Sequence, residues 1–344
     1  MEFGVYTLAD IGPNPYTGQT VSAKERINEV MAAAKLADEL GLQIFGVGEH
    51  HRLDYAVSSV PVVLSAIAQQ TKNIHLTSTT TVLSTVDPVR LYEDFATLDL
   101  LSDGRAEIIA GRGAFIESFP LFGYNIEQYN ELFEEHLELW LRLNKEERLS
   151  WHGNLRAPLK NAEISPRAST VIPTWIGVGG TPESAMRAGR FGMGLALAIL
   201  GGDPHYFVPL VEAYKREFIA AGHPKEQYKV AVTGHGYFTE HGQKARDEFY
   251  GYYKNYWGYV NKQRGMTFRL DREGFEKMTG PNTALFVGSP DEVVEKILKQ
   301  HELLGHTRFL AQLDIGGQPF ETVAHSIELL ATKIMPKVNQ YIKD

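Results

Sequence analysis

Residues 74–90, IHLTSTTTVLSTVDPVR, have the pattern of a buried strand that runs directly into a capped helix. The residues from Thr77 to Thr81 suit a strand, because they are small hydroxyl-bearing or β-branched side chains. Asp87 followed by Pro88 predicts a helix start, since Asp caps free amides and proline needs no donor in the first turn. So many hydroxyl groups in a buried strand indicate that something polar or planar lies against it.

The composition is that of an ordinary globular protein, with 344 residues, of which 43% are hydrophobic and 22% charged. A net charge of -8 and the lack of Lys or Arg runs argue against nucleic acid and against an anionic membrane surface as partners. Because there is no Cys, disulfides and cysteine metal sites are excluded. The chain start resembles a strand rather than a signal peptide, and no apolar run is long enough for a membrane span. We therefore expect a cytoplasmic protein.

Strand-like and helix-like patterns alternate along the chain. Besides the strand in 74–90, strands are predicted at about 2–8, QIFGVGEH, RAEIIAGRG, TWIGVGG, MGLALAIL, YKVAVTGHGYF and about 306–316. Eight strands, each followed by a helix, favour a (β/α)8 TIM barrel, with a doubly wound α/β sheet as the alternative. We expect a single barrel domain over residues 1–344, with an insertion at 240–283 after strand seven.

Polar residues follow several of the predicted strands, and in a (β/α)8 barrel the chemistry takes place at these carboxyl ends. The candidates are Glu49, His50 and His51, the run from Thr79 to Ser84, Arg112, and the run from Gly179 to Ser184. A zinc site at the two histidines is not favoured. Adjacent strand residues point to opposite sides, so His50 and His51 cannot easily share one ion, and only one of them should face the barrel mouth. A histidine with a purely structural hydrogen bond remains the alternative.

The stretch GVGGTPES, residues 177–184, has the features of an anion site. Its glycines leave backbone amides free, Thr181 is a natural helix cap, and the Ser184 hydroxyl can reach the same opening. The amino end of a helix favours a phosphate, and Arg112 could supply positive charge. A capped helix without a ligand explains the motif equally well. It is not a dinucleotide fingerprint, because Pro182 stands where G-x-G-x-x-G needs glycine.

Four blocks of sequence occur in an order and at spacings that are hard to obtain by accident. They are GVGEHH, TTTVLSTVDPVRLYEDFATLDLLSDGR, AGRG and GGTPESAMRAGRFG. Together they resemble the bacterial luciferase-like flavin-dependent monooxygenase family over most of the barrel. The resemblance implies a (β/α)8 barrel that binds reduced FMN, forms a homodimer, and receives its reduced flavin from a separate NAD(P)H:flavin reductase.

The resemblance also implies roles for individual positions. His50 matches the catalytic histidine, a base or proton donor near the reactive edge of the flavin. Thr79 and Thr80 match a pair joined by a non-prolyl cis peptide behind the isoalloxazine, and Arg112 matches the phosphate-binding arginine. The other residues predicted to bind the cofactor are Val178 beneath the ring and Gly179, Gly180, Thr181 and Ser184 at the phosphate. Gly111 stands where the light-emitting luciferases carry a reactive cysteine, so bioluminescence is not expected.

The mechanism implied by the resemblance is oxygenation of a small organic substrate by a flavin C4a-hydroperoxide, formed from reduced FMN and O2. A deazaflavin (F420)-dependent oxidoreductase that transfers hydride is the alternative within the same fold. Two alternatives from other classes are a metal-dependent barrel hydrolase and a flavin-binding protein without turnover. The sequence does not indicate the substrate.

The insertion at residues 240–283 is unusually aromatic, with Phe249, Tyr250, Tyr252, Tyr253, Tyr256, Trp257 and Tyr259 close together. Because it follows strand seven, where barrel loops build the active site, we predict a mobile lid that sets substrate choice. A rigid surface helix is the alternative.

The helices predicted at 59–71 and 88–101 match the dimer face of the luciferase-like family that the chain resembles. Their apolar residues could equally pack inward onto the barrel. The residues concerned are Ala66, Ile67, Leu91, Phe95 and Leu98.

Overall fold

The computed structural model describes residues 1–113, 115–263 and 265–343. The strands are β1 (Glu2–Thr7), β2 (Ile44–Val47), β3 (His75–Ser78), β4 (Thr81–Val82), β5 (Ala106–Gly111), β6 (Arg148–Trp151), β7 (Leu159–Glu163), β8 (Thr174–Val178), β9 (Gly194–Ala198), β10 (Val230–Phe238), β11 (Phe286–Gly288) and β12 (Arg308–Gln312). The helices are α1 (Ala23–Glu39), α2 (Val60–Ala68), α3 (Pro88–Leu101), α4 (Ser118–Phe122), α5 (Tyr129–Leu143), α6 (Pro182–Arg190), α7 (Val208–Ala220), α8 (Gly242–Gln263), α9 (Arg272–Met278), α10 (Pro290–Leu304), α11 (Phe320–Leu329) and α12 (Met335–Lys343).

Eight of the strands pair in parallel and close into a barrel, in the order β1, β2, β3, β5, β8, β9, β10 and β12. Closure is complete because β12 pairs with β1 as well as with β10. The predicted (β/α)8 barrel is confirmed, and the doubly wound sheet is wrong, because an open sheet would leave two unpaired edges. β6 and β7 form a separate antiparallel hairpin after α5.

The stretch 74–90 contains a strand that is interrupted at its centre. β3 pairs with β2 and β5, and the chain resumes after Thr80 as the short strand β4 beside β5. The helix that follows begins as predicted, because Oδ1 of Asp87 accepts hydrogen bonds from the amides of Val89 at 2.9 Å and Arg90 at 3.3 Å. The interruption places the Thr79 and Thr80 side chains at the carboxyl end of the barrel.

The helices pack around the strands and leave part of one face apolar. In α2 and α3, Ile67, Leu91, Phe95 and Leu98 are buried, which confirms the inward packing of these four residues. Ala66 is exposed, so inward packing is wrong for this position, which lies on the outer side of α2. The exposed large apolar residues of the same two helices are Val62, Leu100 and Leu101.

The insertion lies where the sequence placed it, between β10 and β11. It forms α8 and α9, which share a buried cluster with residues of β10, β11 and the segment after β12. Its buried aromatic residues are Phe249, Tyr252, Tyr253, Tyr256 and Phe275. The O–H of Tyr259 also donates to Oδ2 of Asp10 in the loop after β1. Much of the insertion is therefore packed against the barrel.

Candidate active site

A cavity of about 570 Å³ opens at the carboxyl ends of the barrel strands. Its volume is in the range of pockets that hold cofactors and drug-sized ligands. The structure brings most of the predicted site residues together in its wall: His50, Thr79, Thr80, Arg112, Val178, Gly179, Thr181 and Ser184. Gly180 differs, because it is exposed beside Thr181 and lies outside the described wall of the cavity.

The peptide bond between Thr79 and Thr80 is cis, as the resemblance predicted. The neighbouring strands make room for these residues with glycine. A Cβ atom at Gly46 of β2 would lie 2.5 Å from Cγ2 of Thr79, and one at Gly111 of β5 would lie 2.6 Å from Oγ1 of Thr80. Since no side chain fits at such distances, both positions require glycine. The sequence analysis did not identify these roles, although a glycine inside an apolar strand is the signal for such a close approach.

The hydroxyl group of Thr79 has no hydrogen-bond partner in the part of the chain that the structure describes. Thr79 is 9% exposed and borders the cavity, and Oγ1 makes no hydrogen bond to any described residue. Buried hydroxyl groups are normally satisfied by protein or water. This part of the wall is therefore suited to a ligand with polar atoms at its edge.

Another part of the cavity wall combines a helix start with a cation. Thr181 occupies the capping position of α6, but its side chain makes no capping hydrogen bond within the described chain, which corrects its predicted role as a side-chain cap. Its hydroxyl group and the first amides of α6 are thus open to a ligand. Nη1 of Arg112 lies 2.7 Å from Oδ1 of Asn130, and its guanidinium lies 4.8 Å from the ring centre of Tyr129. These contacts hold the Arg112 charge beside the cavity.

The two adjacent histidines each face a carboxylate, but at different distances. His51 Nε2 lies 2.7 Å from Oε1 of Glu49, whose other oxygen accepts the amide N–H of Val82 at 2.9 Å. His50 Nδ1 lies 3.9 Å from Oε1 of Glu117. Both histidines border the cavity, so the expectation that only one would face the mouth is wrong. The reason is that β2 ends at Val47, and the alternation of an extended strand no longer applies beyond it.

Polar residues that the sequence analysis missed line the deep side of the cavity. His235 of β10 and Gln312 of β12 are register neighbours, fully buried, and border the cavity together with Tyr6 and Tyr256. Burial lowers the pKa of His235 to about 3, and the nearby Gln312 only partly opposes this. Their contact lacks hydrogen-bond geometry, so the nitrogen and oxygen atoms of both side chains are unsatisfied among the described residues. At neutral pH this wall is polar and uncharged.

The described residues hold no group of three His, Asp or Glu side chains arranged for a metal ion. Within the same residues, no helix combines the length and the apolar character that crossing a membrane requires.

Several curated proteins resemble the chain over nearly their whole length, and two of them have names that state an activity. The alkanal monooxygenase alpha chain of Photorhabdus laumondii is 24% identical over 366 residues, covering 98% of this chain and 97% of that protein. The oxygenase component of the flavin-dependent trigonelline monooxygenase of Acinetobacter baylyi is 22% identical over 343 residues, covering 92% and 91%.

Solved structures share the fold at similarly low identity. Monooxygenase RslO1 from Streptomyces bottropensis has a TM-score of 0.85 and 24% identity, covering 98% of this chain and 99% of that chain. The oxygenating constituent of 3,6-diketocamphane monooxygenase from Pseudomonas putida, in complex with FMN, has a TM-score of 0.78 and 21% identity, with 98% and 99% covered. An F420-dependent secondary alcohol dehydrogenase has a TM-score of 0.74 and 15% identity, with 98% of each chain covered. The fold alone thus accommodates both kinds of cofactor.

The family model described as luciferase-like monooxygenase matches residues 1–307, which include every predicted site residue. This match is independent of the cavity geometry and agrees with it. It also removes the support for a barrel hydrolase and for a flavin-binding protein without turnover. The chain belongs to the luciferase-like monooxygenase family and is an oxidoreductase.

Proposed function

We propose that this protein binds reduced FMN and uses O2 to oxygenate a small organic substrate. The observation that carries the proposal is the set of residues that line one cavity. Arg112 and the start of α6 border it, and so do the small side chains of Thr79 and Thr80. The first group suits a phosphate and the second leaves room for a planar ring, which are the two parts of FMN.

The phosphate would be held at the start of α6. A helix amino end offers unpaired amides and a favourable dipole, and Arg112 adds a charge-assisted hydrogen bond. Gly179 keeps the approach open, because a Cβ there would meet no described atom within 4 Å. The proposed contacts are Arg112, Gly179, Gly180, Thr181 and Ser184, of which Gly180 would act through its backbone beside the cavity.

The ring would lie against Thr79 and Thr80, with Val178 beneath it. The chain's residues fit such a group, since the unpartnered Oγ1 of Thr79 can donate to a ring heteroatom. When bound, reduced flavin supplies the electrons with which O2 is activated. The protein holds the ring in place and, through Phe115 and Tyr256 in the cavity wall, limits the access of water.

His50 is the proposed group for proton transfer. It is 8% exposed, borders the cavity, and has a carboxylate beside Nδ1, so its ring can give a proton to a ligand or take one from it. We assign His50 a catalytic role and His51 a structural one.

Two protein partners are proposed, a flavin reductase by analogy with a relative and a second copy of this chain from exposed apolar residues. The word component in the name of the trigonelline monooxygenase relative supports a separate NAD(P)H:flavin reductase as the source of reduced FMN. The exposed apolar residues Val62, Leu100 and Leu101 support a homodimer through α2 and α3. We also propose a cytoplasmic location. Sedimentation of the purified protein, with Leu100→Glu as the disrupting variant, tests the dimer.

F420 is the competing cofactor, and the charge of the cavity favours FMN over it. Arg112 is the only Lys or Arg among the described residues that border the cavity. One arginine with a helix amino end suits a single phosphate group, whereas the acidic tail of F420 would need further cations along the mouth.

The proposal is tested by flavin binding and by oxygen incorporation. Purified protein is titrated with FMN, riboflavin and F420, and is then mixed with chemically reduced FMN, ¹⁸O₂ and a panel of aldehydes, ketones and heterocycles. We expect FMN to bind at least about tenfold more tightly than riboflavin, which corresponds to one charge-assisted contact. We also expect ¹⁸O in one product class. Tight F420 binding and hydride transfer, with no ¹⁸O incorporation from FMN, would overturn the proposal.

A further inference from the structure

Glu117 faces His50 across the mouth of the cavity. Its Oε1 lies 3.9 Å from Nδ1 of the imidazole, and both residues border the cavity. Glu117 lies in the segment before α4, whereas His50 follows β2, so the pair joins the loops of two different strands. A shift of about 1 Å would bring the two atoms to hydrogen-bond distance.

Aromatic rings restrict the plane of the His50 imidazole. The Tyr55 ring lies at 4.1 Å between centroids and is inclined by 36°. The Phe115 ring meets the imidazole edge-on at 5.2 Å. With the plane restricted in this way, the group beside Nδ1 decides which ring nitrogen carries the proton.

The charged groups around the pair leave Glu117 in its ionised form. Burial raises the pKa of the Glu117 carboxyl, but His50 and the carboxyl's own backbone amide outweigh burial, so the pKa lies below its ordinary value. Arg52 contributes in the same direction, and its guanidinium stays charged throughout the physiological range. Burial raises the pKa of Tyr55, so this phenol stays neutral. Glu49 and His51 form the adjacent pair.

We propose that Glu117 is a positioning residue for His50. Its carboxylate accepts a hydrogen bond from Nδ1–H, which fixes the tautomer and leaves Nε2 as the nitrogen that exchanges a proton with a ligand in the cavity. The inference rests on the proposed function, because it assigns a partner to the histidine that the proposed reaction uses. An acceptor behind a histidine orients the ring and stabilises its charged form, as buried carboxylates do for catalytic and metal-bound histidines.

The neighbouring pair explains why this role belongs to Glu117 and not to Glu49. Glu49 is already committed, since one oxygen contacts His51 at 2.7 Å and the other accepts the Val82 amide. That arrangement ties the loop after β2 to β4 and leaves little freedom. Within the described residues, the Glu117 carboxylate accepts no hydrogen bond from the backbone of another strand, so it can follow the imidazole when the site fills.

The test is histidine NMR on the complete protein without flavin. Samples labelled with ¹⁵N-histidine are compared as wild type, Glu117→Gln and Glu117→Asp, and the His50 signals are identified by their loss in His50→Gln. In the wild type we expect the proton of the neutral ring on Nδ1. In Glu117→Gln we expect the tautomer to move toward Nε2–H, because the acceptor beside Nδ1 has lost its charge. Glu117→Asp keeps the carboxylate and should restore part of this change.

Glu49→Gln is the matched control, since it makes the same chemical change one residue before His50. It should change the His51 signals and leave the His50 tautomer as in the wild type. Identical His50 tautomers in wild type and Glu117→Gln would overturn the inference. Because the measurement needs neither flavin nor substrate, an intact pair without any ¹⁸O incorporation would refute the proposed function and not the positioning role.

Discussion

Buried polar residues at the two ends of the barrel interior differ in whether their hydrogen bonds are satisfied within the protein. At the amino end, Arg308 of β12 and Glu107 of β5 form a buried bidentate pair at 2.6 and 3.2 Å, and the guanidinium lies 4.3 Å from the ring centre of Trp175. At the carboxyl end, the side-chain polar atoms of Thr79, His235 and Gln312 have no partner among the described residues. The ion pair at the amino end is satisfied within the protein, whereas the three residues at the carboxyl end have unsatisfied atoms beside a cavity.

This difference separates stability from function within one fold. A buried polar group without a partner costs free energy, so a folded chain retains such groups where a ligand or water can satisfy them. In a buried ion pair, both charged groups already have their partner within the protein, so no ligand is needed to satisfy them. We therefore expect substitutions at the amino end to change the free energy of unfolding, and substitutions at the carboxyl end to change binding and turnover.

Breaking the buried ion pair should have the largest effect. Among the described residues, Glu107→Gln leaves the Arg308 charge with the more exposed Glu2, at 2.8 Å, as its one carboxylate partner. We expect a loss of about 3 kcal/mol in the free energy of unfolding, as for other buried pairs that lose one partner. Urea denaturation measures this loss. Glu2→Gln is the control and should cost less than about 1 kcal/mol, because Glu2 is half exposed. A stable Glu107→Gln variant with weakened FMN binding would contradict the division between the two ends.

The adjacent histidines allow the effects on turnover and on stability to be compared within the carboxyl end of the barrel. His50→Ala should lower the rate of oxygenation about a hundredfold, the usual effect of losing one proton-transfer group, and leave FMN affinity within about tenfold. His51→Ala removes the contact with Glu49 and should act mainly on stability. Steady-state rates with FMN titrations on both variants decide between them. If His51→Ala lowers turnover more than His50→Ala does, the assignment of the two histidines is reversed.

Much of this site could be predicted because it depends on local sequence. Helix caps such as Asp87 and strand-end residues such as Arg112 follow from residue type and position. The family blocks then identified the Thr79–Thr80 peptide, and the structure confirms its cis geometry. Periodicity was sufficient for the barrel, because eight strand and helix pairs have few ways to close.

The missed residues depend on contacts between distant strands. His235 and Gln312 come from strands far apart in the chain, and only the pairing of β10 with β12 brings them together. Glu117 was missed because it lies in an irregular segment, where no periodicity predicts which side a residue faces. The prediction that only one of the two histidines faces the barrel mouth was wrong for a similar reason. It applied the alternation of side chains along a strand to residues beyond the end of β2.

Removing the positive charge of Arg112, the proposed phosphate contact, should have an intermediate effect. Arg112→Ala is expected to weaken FMN binding by about 1 to 3 kcal/mol, as for one charge-assisted hydrogen bond, and to change riboflavin binding much less. Fluorescence titration with both ligands measures the difference. Equal losses for FMN and riboflavin would remove the phosphate assignment, and a large loss of stability would contradict the comparison of the two ends.

The insertion provides the smallest expected effect and the last test. The sequence predicted a mobile lid over 240–283, and the structure divides this segment into parts of unequal packing. α8 has four aromatic residues in the buried cluster: Phe249, Tyr252, Tyr253 and Tyr256. In contrast, residues 266–274 are exposed or half-buried. A packed helix opens rarely, whereas a segment with few buried contacts opens often.

We therefore propose that lid motion is confined to residues 266–274 and that α8 forms a fixed wall through Tyr256, which borders the cavity. Hydrogen exchange with and without reduced FMN and a substrate measures both parts in one experiment. Peptides from 266–274 should gain protection on binding, by severalfold in exchange rate, because closure orders their amides. Peptides from α8 should already be protected in the free protein and change little. Full protection of 266–274 without ligand would refute a lid, and a gain confined to α8 would show that the wall itself moves. In that second case Tyr256 would move with the lid, and α8 would not be a fixed wall of the cavity.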